Sequence, residues 1–482
     1  LIPRMVEGLV PFPGSPYRLP CCVEAPAPYA DRARYALRML LLPLGIDPVW
    51  VGRDDLAAPG LYYGPDPDAV PPTQLRVPLR PEAPAYFDAR TPLARPADWI
   101  EVDGERWPLL FGTAAEPDWI ASAFFWLSGW QEHVVRERDA SGRFPHAASL
   151  QARLGTTTRP VVDAYRLRLA VDLAARGVPI RPRTWHGAGW AFCPTHDVDA
   201  LRKWRPGILY REVVQHALLN RRREAVAVRA RRLARGLADW LTPGDPYRTA
   251  LVRLMEETRQ RGGTATFFLK TAARGAYDVP YREGPFLRRC LRDFRRHGFE
   301  VGLHPSYFAC DHPAYVAEER ARLAGWIGEE PVSVRSHYLR FAPVTARLYE
   351  AAGFRIDSTL GFAEHEGFRH GTCLPFQVFD VEANRPLDLW EMPLVLMEGT
   401  LFNRRFLTSE EARRVTDELL ATCRRFGGVA VMLWHNAIWD DLDHPGWGQH
   451  FTETLDEAVR QGAALLSLRA ALESWLGESL GR

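Results

Sequence analysis

The chain has 482 residues, 46% of them hydrophobic and 25% charged, with 37 glycines and 39 prolines. That is too long for one ordinary globular core, and the composition excludes a disordered or collagen-like polymer. A formal net charge of +2 excludes a strong overall field for nucleic acid or an anionic membrane, so no nucleic-acid partner is expected. The longest apolar stretches, 37–46 and 120–130, fall far short of the roughly 20 residues a bilayer span requires. No transmembrane segment is predicted, and the cytoplasm is the default location. The seven cysteines are odd in number and contain no C-x-x-C pair, so they read as reduced, mostly buried thiols. Of the 61 basic residues only Lys203 and Lys270 are lysines, which reads as a bias toward arginine without functional weight.

Residues 1–185 predict a separate α/β domain of unassigned role, with Pro-rich loops, a helix over 35–42, a strand over 48–52 and an aromatic helix over 119–130. From 186 to 482 short apolar runs alternate with helix-like segments, the rhythm of β/α units. A strand over 190–193 leads into Thr195, His196, Asp197, Val198 and Asp199, with both aspartates placed in a strand-end turn. An insertion comes next over about 201–246, with seven arginines between 221 and 235 against Glu224. A solvated amphipathic face outweighs an anionic contact as its reading.

Further strands are predicted over 264–269, 299–303, 332–334, 354–356, 389–394 and 429–434, with a last one ending near 466. Gly262, Gly298, Gly353 and Gly427 stop the intervening helices. Thr408 with Glu411 has capping-box spacing. The fold class is therefore α/β: an irregular (β/α) barrel of about seven strands, preceded by the separate domain. The segment 357–376 reads as a long loop over the barrel mouth, of the kind that forms substrate walls or lids, with Phe362, Phe368 and Phe376 weighted toward packing. Trp434 and Trp390 fit pocket-lining and barrel-core roles equally.

Barrel enzymes carry their chemistry at the carboxyl ends of strands. The ionisable residues there are Asp197, Asp199, His304, Arg335, His337, Asp357 and His435, a set that points to metal-assisted hydrolysis. His196, His312 and the histidines of 365–370 read as structural.

The motifs resemble those of the polysaccharide deacetylases (NodB homology, carbohydrate esterase family 4) over about 190–470, as a variant branch. Thr195 to Asp199 is similar to the first motif, Gly298 to His304 to the second, Arg335-Ser336-His337-Tyr338 to the third, and Leu433-Trp434-His435 to the closing one. Glu391-Met392-Pro393 looks like the family's late E-x-P strand, and Asp357 falls where a fourth acidic motif would. The resemblance implies Asp197 as catalytic base, His435 as general acid, Arg335 orienting the base, and Tyr338 lending a backbone N–H to an oxyanion hole. It implies Asp199 and His304 as metal ligands.

A second metal histidine would fall at 308, where this chain has Phe308. His337 is the nearest replacement, and His312 a poorer one. A divalent ion, Zn²⁺ first, held by a carboxylate and imidazoles lowers the pKa of bound water toward about 7 and polarises an acyl carbonyl.

The expected activity is removal of an N-acyl group, acetyl first, from a sugar or polysaccharide. The alternatives are a catalytically inactive glycan-binding barrel and a hydrolase of a small non-sugar C–N bond. The partner is thus a carbohydrate or an N-acylated small molecule.

Overall fold

The computed structural model describes residues 15–219, 225–241, 244–441 and 443–480. Arg221, Arg222, Arg223 and Glu224 of the basic stretch lie outside them. Strands β1 (Tyr17–Val23), β2 (Ile46–Trp50), β3 (Leu61–Gly64) and β4 (Leu75–Pro78) form a parallel sheet in the order β2-β1-β3-β4. β5 (Asp98–Val102) and β6 (Glu105–Leu109) form a separate hairpin. Its turn residues Asp103 and Gly104 are both left-handed, as the twist of a two-residue hairpin loop requires.

The helix Tyr29–Leu41 starts earlier than its apolar pattern predicts. The aromatic helix is shorter, Trp119–Leu127, and a second helix, Trp130–Val134, comes after it. Gly129 makes the break: its φ is 62°, and a Cβ there would stand 2.8 Å from His370 Nε2.

The second sheet comprises β7 (Ala191–Val198), β8 (Thr266–Leu269), β9 (Glu300–Leu303), β10 (Ser333–Val334), β11 (Ile356–Asp357), β12 (Phe376–Asp380), β13 (Arg385–Glu391), β14 (Leu394–Met397), β15 (Val429–Leu433) and β16 (Ala464–Leu465). Its order is β12-β13-β11-β10-β9-β8-β7-β15-β14, with β16 also against β7. β13 pairs with β11 and β14 with β15, all in parallel, yet only Met392 and Pro393 separate β13 from β14.

One interrupted strand therefore joins the two ends of the order and curls the sheet into a barrel. Its positions are β7, β8, β9, β10, β11, β13 with β14, and β15, in line with the predicted count. Pro393 lacks the N–H that an unbroken ladder would need, which is why the single strand expected over 389–394 is observed as two. Thr408 caps the helix Ser409–Phe426 with the reciprocal Glu411 bond that the sequence predicts.

β12 runs antiparallel to β13 at the edge and is covered from the N-terminal region. Tyr35 lies 4.8 Å from Phe379 ring to ring, and its hydroxyl donates to Gln377 O at 2.6 Å. The segment 357–376 is not a lid. Phe362, Phe368 and Phe376 are buried, Gly367 N–H donates to Val395 O at 2.8 Å, and Phe368 N–H donates to Thr157 O at 2.7 Å. Its backbone donors are satisfied by the barrel on one side and the N-terminal region on the other, which holds it in the interior.

Arg369 makes a two-pronged pair with Glu132, at 2.7 and 2.5 Å. Both groups are largely removed from water, and stranding such a charge costs on the order of 3–5 kcal/mol. One apolar core runs through both sheets. All seven cysteines are buried and free. Among the described residues no helix is long and apolar enough to cross a membrane.

Candidate metal centre and active site

The strand ends converge on a cavity of about 270 Å³ lined by Asp197, Asp199, His304, His337, Tyr338 and His435, among others. β7 continues to Val198, so Asp197 lies within the strand and Asp199 one residue beyond it. Residues two apart on a strand share a face, and no intervening turn is needed to bring both carboxylates to the same side.

Asp199 Oδ1 lies 3.5 Å from His304 Nε2 and 3.1 Å from His337 Nε2. Together the three side chains offer ligand atoms within 4.8 Å of one another. The outer nitrogens are engaged. His304 Nδ1–H donates to Arg335 O at 2.7 Å, and His337 Nδ1–H donates to Asp278 Oδ1 at 2.8 Å. These bonds fix the tautomers, leaving both Nε2 lone pairs facing the cavity. Asp199 Oδ1 is itself buried and accepts no well-aligned hydrogen bond, with the Lys270 ammonium 3.2 Å away as an ion-pair neighbour. Two inward imidazole nitrogens and a carboxylate oxygen facing them are the donor set that a tetrahedral divalent ion takes, so the residues fit the implied metal. Burial works against charge on Asp199, but His304, His337 and Lys270 more than offset it and hold the carboxyl well below the usual range.

Phe308 does not line the cavity. It is partly exposed and stands against Tyr277 and Tyr307. His312 is exposed beside Asp311.

Next to this cluster, Arg335 is fully buried. Its Nη1 donates to Thr195 Oγ1 at 2.7 Å and to Asp197 Oδ1 at 3.3 Å, while Nε and Nη2 donate to Ser358. The guanidinium thus has a fixed orientation toward Asp197. Across the cavity, His435 Nδ1–H donates to Glu398 Oε1 at 2.6 Å, and its Nε2 lies 3.7 Å from Asp199 Oδ2. Burial disfavours the imidazolium, but Glu398 chiefly, with Asp199 and Asp197, raises the pKa to about 10. His435 therefore carries a proton through the neutral range, as a general acid must.

Glu398→Gln removes the main charge that opposes burial. The high-pH limb of a rate profile governed by protonated His435 is expected to move down by more than one pH unit, toward the ordinary histidine value of about 6.5. Steady-state rates measured across pH 5–10 test this, and an unmoved limb would exclude His435 as the titrating acid.

Asp357 does not line the cavity. It lies at the end of β11 in register with Glu391, and its charge faces Arg335. Burial, opposed by Thr359 and Arg335, pushes its pKa up to about 7. The carboxylate beside His435 is Glu398, just past the end of β14. Trp434 is buried against Phe192 and Phe451, and Trp390 against Trp475, so both are core residues. His196 is also core: it is fully buried, and its Nδ1 bonds Trp434 O at 3.1 Å.

Sequence reasoning misses Asp278, Glu398 and Lys270. Lys270 Nζ lies 3.2 Å from Asp199 Oδ1 and 3.4 Å from His337 Nε2. A signal for it is present in the composition. In a chain that otherwise uses arginine, both lysines are buried among carboxylates, Lys203 beside Asp440 and Asp443, Lys270 beside Asp199 and Asp278. A compact ammonium fits such sites where a planar guanidinium does not. At the cavity mouth Tyr277 stacks on Tyr307 at 4.1 Å, and Tyr338 stands 6.0 Å from Tyr277, leaving Tyr277 and Tyr338 half exposed.

A family model described as a family of unknown function (DUF7033) matches residues 88–177. No curated protein matches the chain. One similar solved structure is a Mycobacterium smegmatis protein described as a polysaccharide deacetylase, with 17% identity, TM-score 0.39, and coverage of 61% of this chain and 95% of that one. A second is the family 4 carbohydrate esterase of Streptomyces lividans in complex with acetate, at 11%, TM-score 0.29, 57% and 92%. A third is a CE4 family pseudoenzyme of Bacillus anthracis, at 10%, TM-score 0.28, 59% and 66%. These descriptions name the family the motifs resemble.

Proposed function

We propose that this chain is a metal-dependent hydrolase that removes an N-acyl group, acetyl first, from a sugar or glycan. The observation that carries the reading is the Asp199, His304 and His337 cluster, with both imidazoles turned inward by their outer hydrogen bonds. Zn²⁺ or a similar ion held there would supply an acidified water and polarise the acyl carbonyl.

Asp197, oriented by Arg335, takes the water's proton. His435, kept protonated by Glu398, gives a proton to the departing amine. The Tyr338 amide is the candidate oxyanion donor: the turn's own bonds run from Leu339 N to Ser336 O and from Arg340 N to His337 O, and neither uses it. The half-exposed rings of Tyr277 and Tyr338 suit the apolar face of a pyranose, which favours a sugar over a small non-sugar amide.

The competing reading is a glycan-binding barrel without catalysis. The Lys270 ammonium favours it, because it already brings a positive charge to two of the three ligand groups.

Acetate release from N-acetylated hexosamine oligomers, measured before and after chelation and on restoring Zn²⁺, separates the two. Release that is lost on chelation and regained with metal supports hydrolysis. Oligomer binding without release at any metal concentration supports the second reading.

A further inference from the structure

The turn after β10 is strained. Tyr338 (φ 61°) and Leu339 (φ 53°) are consecutive left-handed residues, and neither is glycine. Side chains rarely adopt this conformation, and two in succession persist only where the surroundings hold them. The groups that hold them come from a distant part of the chain. Arg143 Nη1 donates to Tyr338 O at 2.9 Å, across 195 positions of sequence. In return Arg340 Nε donates to Ser141 O at 2.9 Å, and Arg340 Nη1 donates to Tyr307 O.

Arg143 is nearly buried and lines the same cavity as His337 and Tyr338. Its guanidinium is fixed from behind. Asp139 accepts from Nε at 2.7 Å and pairs with Nη2 at 2.6 Å, and Glu364 stands 3.6 Å from Nη2. The loop is locked by Asp139 Oδ1, which accepts from Ser141 N and Arg143 N, both at 2.9 Å.

We propose that residues 139–143 of the N-terminal region are part of the active site, with Arg143 as a positioning residue that holds the Tyr338 turn in its left-handed form. The role depends on the hydrolase reading only for its catalytic consequence. Arg143 fixes the Tyr338 carbonyl and so the plane of the Tyr338–Leu339 peptide, and through the left-handed conformation this holds at Tyr338 it sets the direction of the preceding Tyr338 N–H and the placement of the ring at the cavity mouth. The segment matched by the family of unknown function thereby completes a wall that the barrel alone leaves strained. Arg143 touches no reacting atom in this scheme, so its loss should alter substrate placement without removing the metal ligands.

The test is amide hydrogen exchange by mass spectrometry on the full chain, comparing the parent with Arg143→Met and Arg143→Lys. The expected result is exchange over 337–340 faster by about tenfold or more in Arg143→Met, with β7, β8 and β9 unchanged and partial recovery in Arg143→Lys. With an N-acetylated hexosamine oligomer as substrate, KM should rise and kcat fall in Arg143→Met, at unchanged metal content. Unchanged exchange over 337–340 would overturn the proposal whatever the activity.

If Arg143→Met loosens the whole chain, Asp139→Asn decides. It keeps the guanidinium but weakens its anchor, so locally faster exchange supports the strap and unchanged exchange refutes it. A parent that hydrolyses no N-acylated sugar would refute the function and leave the exchange result standing.

Discussion

Asp197→Asn is expected to lower kcat by about 10³ or more while the protein keeps its full metal content, because the substitution removes the proton acceptor and leaves the ligand set intact. Asp197 is buried at the end of β7, with Arg335 on one oxygen and His304 Nε2 3.7 Å from the other. An amide of the same shape preserves the packing, and Arg335 keeps its bonds to Thr195 and Ser358. The fold should therefore survive, which the thermal transition would verify. Steady-state kinetics beside elemental analysis check the prediction. Full turnover in the variant would remove Asp197 from the role of base.

Asp199→Ala should instead take the bound ion from about one per chain to near zero, with activity lost alongside it. Asp199 is the hub of the site, lying near His304, His337, Lys270 and His435 at once. His337→Ala should lose metal in the same way. Asp278→Asn, which removes the carboxylate that orients His337, should weaken affinity by about 10–100-fold.

Lys270→Met gives the opposite sign: removing a positive charge 3.2 Å from the carboxylate should tighten metal binding. Calorimetric titration with Zn²⁺ measures all four. If the parent binds no metal and Lys270→Met alone does, the ammonium is the site's resident cation and the chain is a binding barrel.

Much of the site is legible along the chain. Each short apolar run marks a strand, and the first polar residues after it are of necessity at the carboxyl end. His304, Arg335, His337 and His435 are therefore placed together by local pattern alone. The choice of His337 to stand for the absent histidine at Phe308 rests on the same logic, since adjacent parallel strands bring their ends side by side, and the structure sets its Nε2 3.1 Å from Asp199. Asp357 misleads for a related reason. A strand-end position says that a residue is near the barrel mouth, not whether it faces the cavity or the layer beneath it, and Asp357 does not line the cavity.

The alternation of strands and helices, the barrel class and the ring of strand-end residues belong to the sequence, because they depend on periodicity and on the residues that end each hydrophobic run. Other features arise only when distant segments meet. The interrupted strand closes the barrel because Met392 and Pro393 join two edges that pair with different neighbours. The segment 357–376 becomes interior because the N-terminal region supplies partners such as Glu132 and Thr157.

Asp278 reaches the site, and Arg143 reaches the Tyr338 turn, by the same route, whereas Lys270 and Glu398 directly follow β8 and β14. The identities of Asp278 and Arg143 carry no local signature, because a charged side chain that orients another group and one that faces water look alike along the chain. They are distinguished by the burial and hydrogen bonding that the curvature of the sheet imposes.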